Sequence, residues 1–171
     1  MLIRQKCGKM DCIGRIQKGE MAMGHCIRAI IGVHQSIQKL ADDWVYAKEI
    51  ELPQGYGMIF LTDELLDDIT ELYDVPDDFC YSELDYFTIA ADQLLQQYTF
   101  HTKLAYVETD YFGGIGTQGG VLYENGRISI APHSGDGTIN LLLRELGVKC
   151  LANKDEFDSL NLGNYRHMME Y

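Results

Sequence analysis

Leu104-Ala105-Tyr106-Val107-Glu108-Thr109-Asp110-Tyr111-Phe112, followed by Val121-Leu122-Tyr123-Glu124-Asn125-Gly126-Arg127-Ile128-Ser129-Ile130-Ala131, is the part of this sequence that decides the fold. Both stretches are rich in β-branched and aromatic residues, which favour a pleated, half-buried strand. Asn125-Gly126 separates two such runs and supplies the positive φ angles of a two-residue type I′ turn. A strand over Leu104–Phe112 and a hairpin over Val121–Ala131 are therefore expected, paired antiparallel.

Upstream, the apolar run from Cys26 to Val33 predicts a buried strand interrupted by Gly32. Ser36 is expected to cap a short helix carrying Ile37, Leu40, Ala41 and Trp44. Residues 47 to 52 and 56 to 61 predict two strands joined at Pro53-Gln54-Gly55. Thr62 or Asp63 caps a helix with Leu65, Leu66, Ile69, Leu72 and Tyr73 on one face, and Pro76 lies beyond its end. Ser82 and Asp85 resemble a capping box, after which Leu84, Phe87, Ala91, Leu94, Leu95 and Tyr98 recur at helical spacing. Downstream, Asp136 is expected to cap a helix with Ile139, Leu142, Leu143 and Leu146, closed by Gly147 and Val148 in a Schellman-type end. A short helix near Glu156 to Asn161 stops at Gly163. The sum is an α+β domain, a mostly antiparallel sheet packed against helices as a single layer pair.

At 171 residues, 46% of them hydrophobic and only three of them proline, the chain suits one core and not a disordered ensemble. No apolar run reaches the roughly 18 residues of a membrane span, and the N-terminus lacks the pattern of a secretory signal. The odd number of cysteines, five at irregular spacing, points to free thiols in a reducing cytoplasm. A net charge of −12 disfavours nucleic acid and anionic membranes as partners.

Residues 1 to 22 differ in composition, with five basic and two acidic groups, whereas residues 23 to 171 hold nine basic and 24 acidic. Lys18-Gly19-Glu20 can be encoded by purine-rich codons resembling a bacterial ribosome-binding site. The expectation is a native start at Met23, with 1–22 a leader outside the fold. Cys7 and Cys12 lack the second ligand pair that a zinc site needs.

The interval from Glu49 to Thr102 contains thirteen acidic residues and no Lys or Arg. Pairing at i,i+4 cannot neutralise such a segment, so it repels itself unless a basic surface compensates. Asp63, Glu64, Asp67, Asp68, Glu71, Asp74, Asp77 and Asp78 are the candidate partner-binding residues, and a basic protein is the candidate partner. The expected role is a non-catalytic binding module of immunity or inhibitor type, set against an ordinary solvated acidic surface.

The alternative is a metal-dependent, hydrolase-like enzyme. Glu108 and Asp110 point to one face of a strand, and with His133 they form a candidate oxygen-and-imidazole cluster or acid–base pair. No EF-hand loop, no phosphate loop ending in Gly-Lys-[Ser/Thr] and no H-E-x-x-H pairing occurs, and no cofactor is expected.

Ala105-Tyr106-Val107-Glu108-Thr109-Asp110-Tyr111-Phe112-Gly113-Gly114-Ile115-Gly116-Thr117-Gln118, with Ile139-Asn140, Leu143, Leu146-Gly147-Val148 and Asp155-Glu156-Phe157 further on, resembles a string shared by a group of small bacterial proteins of no established activity. The resemblance covers roughly the last 70 residues. It implies a bacterial origin and a free-standing domain, and it supplies no catalytic residues.

Overall fold

The computed structural model describes residues 24–168. The expected leader, the Met23 start, and Cys7 and Cys12 lie outside the described residues. Six strands, β1 (Gly24–Val33), β2 (Glu49–Leu52), β3 (Tyr56–Phe60), β4 (Lys103–Phe112), β5 (Ile115–Glu124) and β6 (Arg127–Ser134), form one antiparallel sheet in the order β2-β3-β1-β4-β5-β6. The helices are α1 (His34–Asp43), α2 (Asp63–Tyr73), α3 (Ile89–Tyr98), α4 (Thr138–Leu146) and α5 (Glu156–Ser159). None of them is long and apolar enough to cross a membrane.

The α+β class and the antiparallel sheet are those that the sequence predicts. Glu124 and Arg127 pair across Asn125 (φ 52°) and Gly126 (φ 74°), the turn read from the Asn-Gly step. β5 is longer than expected and takes in most of the glycine-rich string. Only Gly113 and Gly114 form the turn, between paired Phe112 and Ile115.

The expected single pair of layers is exceeded, because both faces of the sheet are covered. Successive residues of a strand point to opposite faces. Ile30, Leu104, Tyr106, Val121 and Tyr123 meet α1, α2 and α3 in one core. Ala29, Ile31, Ala105, Val107 and Leu122 meet α4 and the Leu160–Leu162 segment in a second.

Three predicted caps are corrected. α1 starts at His34 directly from β1 without a side-chain cap, and Ser36 lies inside it, its hydroxyl 2.7 Å from that of Thr102. α3 starts at Ile89, where Thr88 accepts from the Ala91 N–H, so Ser82 and Asp85 head no helix. Gly137, not Asp136, precedes α4, and the cap comes from a neighbouring strand: Gln118 Oε1 accepts from the Ile139 N–H at 3.2 Å. At the other end of α4 the expected Schellman-type closure forms, with Gly147 at φ 100° and the Val148 N–H donating to Leu143.

Gly119 and Gly120 are packing devices on opposite faces. A Cβ at Gly119 would meet Leu84 Cδ2 at 2.8 Å, and one at Gly120 would meet the Tyr106 carbonyl oxygen at 2.3 Å and Leu142 Cδ1 at 2.5 Å. The second clash is with the backbone of the adjacent strand, which cannot turn aside. Gly120→Ala is therefore expected to lower stability by about 1–3 kcal/mol, measured as an earlier urea midpoint; an unchanged midpoint would contradict the close approach of β4, β5 and α4.

Candidate functional site

Thr62 caps α2 by accepting from the Leu65 N–H at 3.3 Å, a contact worth about 1 kcal/mol. Leu65, Leu66 and Ile69 are buried beneath the helix. Glu64, Asp67, Asp68 and Glu71, spaced i, i+3, i+4 and i+7, form the opposite stripe, exposed except for half-buried Asp68. The helix ends at Asp74 in the left-handed region, and Asp77 and Asp78 follow, all three exposed.

Of the eight carboxylates expected to bind a partner, Asp63 has an ion partner, the Arg28 guanidinium at 2.9 Å. Among the described residues no cation lies within ion-pair distance of the other seven. Glu71 and Asp74 sit at the C-terminal end of α2, where the helix dipole disfavours negative charge and the last turn carries no basic residue. Not every acidic residue of the interval joins this surface. Glu49 lies on the edge strand β2, 2.6 Å from His34 Nδ1. Asp92 turns inward to accept from the Tyr81 and Tyr123 hydroxyls. Burial is the main cause that pushes Tyr81 up to about 12.

The fifteen residues from Asp74 to Thr88 connect α2 to α3 with no helix and only an isolated bridge between Phe79 and Thr88. What replaces the predicted helical start is a clamp. Glu108 on β4, 5% exposed, accepts the Asp85 N–H at 2.7 Å on one oxygen. Its other oxygen accepts the Tyr86 N–H at 3.1 Å and the Tyr106 hydroxyl at 2.7 Å. Leu84 drops into the space left by Gly119, and Phe87 is buried against Tyr106. The Tyr86 hydroxyl donates to Asp110 at 2.8 Å, and its ring lies 5.8 Å from the Arg28 guanidinium carbon. Tertiary contacts thus override the local helical spacing of residues 82–88.

Desolvation is the largest influence on Glu108 and lifts its pKa above the ordinary glutamate value, against the downward pull of the Tyr106 hydroxyl and the two amides. Its oxygens are already committed to three donors. Asp110 shares its face of the sheet, as expected, but His133 does not. Glu108 pairs with Gly119, whose face meets Leu84, whereas His133 pairs with Gly120, whose face meets Leu142 of α4. The period of two along a strand puts the imidazole on the far side of the sheet from the carboxylates. Among the described residues no group of three or more His, Cys, Asp or Glu side chains is placed to hold a metal ion.

The chain matches no family model, no curated protein and no solved structure. Three residues of the site escaped the sequence: Arg28, Tyr86 and Phe79. Arg28 had a signal, being the one charged residue inside the apolar run Ile27–Ile31. Tyr86 and Phe79 had none, since their roles depend on contacts between distant segments.

Glu108→Ala would leave the fully buried Tyr106 hydroxyl without its acceptor and release both loop amides. The expected loss is about 3 kcal/mol in urea unfolding, with faster hydrogen exchange at Asp85 and Tyr86; unchanged protection there would refute the clamp. The pH dependence has a definite sign. A carboxyl whose pKa is raised in the folded state adds stability below its unfolded pKa and loses it as pH rises through the folded value. Relative to Glu108→Gln, the native protein should lose stability over that acidic window as pH rises.

Proposed function

We propose that this domain is a non-catalytic protein-binding module of immunity or inhibitor type, acting in the bacterial cytoplasm and docking a basic protein through α2 and the acidic start of the loop after it. One observation carries the reading: Glu64, Asp67, Asp68, Glu71, Asp74, Asp77 and Asp78 occupy one continuous stretch of surface chain without an ion partner among the described residues. Like charges at i,i+3 and i,i+4 on α2 oppose folding by a few tenths of a kcal/mol per pair. A basic partner would convert that repulsion into attraction and raise the encounter rate. Glu108 serves this reading as a structural support, its oxygens being bonded to two loop amides and the Tyr106 hydroxyl.

The four substitutions Glu64→Gln, Asp67→Asn, Asp68→Asn and Glu71→Gln, made together, separate the two effects. Relief of repulsion should raise stability by about 1 kcal/mol at low ionic strength, a gain that shrinks as salt is added. In a pull-down the native protein should retain a basic protein at low salt and release it at high salt, and the neutralised variant should retain none. Absence of a salt-sensitive basic partner would overturn the reading.

A further inference from the structure

Phe79 is 60% exposed, and among the described exposed apolar side chains it is the one preceded in sequence by two exposed carboxylates, Asp77 and Asp78. Leaving such a ring in water forgoes about 1.5–3 kcal/mol of burial. The backbone beneath it is nevertheless tightly held. The Phe79 N–H donates to Asp78 Oδ1 at 2.8 Å, and the residue bridges antiparallel to Thr88. The Cys80 N–H donates to the Phe87 carbonyl at 2.9 Å, and the Ile89 N–H to the Asp78 carbonyl at 3.0 Å. On the inner side of the same bridge Cys80 and Phe87 pack into the first core. Farther along, at Leu84, Asp85 and Tyr86, Gly119 and Glu108 fasten the rest of the loop to the sheet.

The other exposed aromatic rings lack this setting, Tyr46 following the apolar pair Trp44 and Val45. Phe100 lies beside Gly126 of the β5–β6 turn, and Phe112 stands at the end of the β4–β5 hairpin. A ring presented on a pinned backbone loses little conformational freedom on binding, and an aromatic inside a polar rim is the arrangement that concentrates binding energy at interfaces.

We infer that Phe79 is the apolar anchor of the docking surface, entering a cavity of phenyl-ring size on a partner whose rim is basic and faces Asp74, Asp77 and Asp78. The inference rests on the docking reading above and adds a division of labour. The carboxylates of α2 and the loop set the encounter rate and its salt dependence, and the Phe79 ring sets the lifetime of the complex.

The probe is the purified basic protein retained at low salt by the native chain. Phe79→Ala should speed its dissociation by about tenfold or more while leaving the slope of affinity against salt unchanged. Phe79→Trp should keep most of the affinity, and Phe100→Ala, at a more exposed ring elsewhere, should leave it unaltered. The four-carboxylate variant should instead flatten the salt slope. If Phe79→Ala binds as the native chain does, the anchor is wrong and the acidic docking face stands. If no basic protein is retained at low salt, the docking reading fails and the anchor fails with it.

Discussion

The carboxylate of Glu108 joins the sheet to the segment that covers it. Placed on a central strand in the interior, it is a costly group to bury, and three donors converge on it: two backbone amides of the 82–88 segment and the Tyr106 hydroxyl. Those bonds hold the loop in a path that lowers Leu84 onto Gly119 and Phe87 onto Tyr106, completing the first core. The same path runs from the left-handed Asp74 that closes α2 to the Thr88 that caps α3. A helix through residues 82–88, which the local spacing favours, would withdraw the amides that the carboxylate needs.

The glycine-rich string gains a structural account from this arrangement. Glu108 clamps the loop, Asp110 accepts from Tyr86, and Gln118 caps α4 while donating to the Tyr111 hydroxyl. Gly119 and Gly120 admit a leucine from each covering layer. A motif that suggests a flexible turn or a ligand loop is, over most of its length, a strand whose side chains and bare positions fasten both layers to the sheet.

Much of this was legible in the residues, and what was not has a common cause. The Asn125-Gly126 turn, the Thr62 cap, the Gly147 end of α4 and the alternation along β4 are local signals, governed by φ angles and side-chain periodicity. The acidic stripe on α2 was legible for the same reason. The continuous apolar run at Ile27–Ile31, broken only by Arg28, held the sign that both faces of β1 are covered. The placement of His133 required the register of β5 against β6, with its shifts between Gly120 and Tyr123. The course of residues 82–88 required knowing that a carboxylate 22 and 23 positions away would take their amides. Caps borrowed across the sheet, such as Gln118 for α4, leave no trace near the helix they serve.

The electrostatics run against the stability of the isolated chain. Carboxylates repeat along one side of α2, continue past its unfavourable dipole end, and among the described residues meet no cation except Arg28 at Asp63. The central claim is that this charge acts as one localised field. Adding an oligolysine peptide at low ionic strength and following backbone amide chemical shifts tests it most directly. The account predicts shifts concentrated from Glu64 to Glu71 and from Asp74 to Phe79 that vanish on adding salt. Shifts scattered over the whole surface, or centred on Glu49 and Glu51 of the β2 edge, would contradict it.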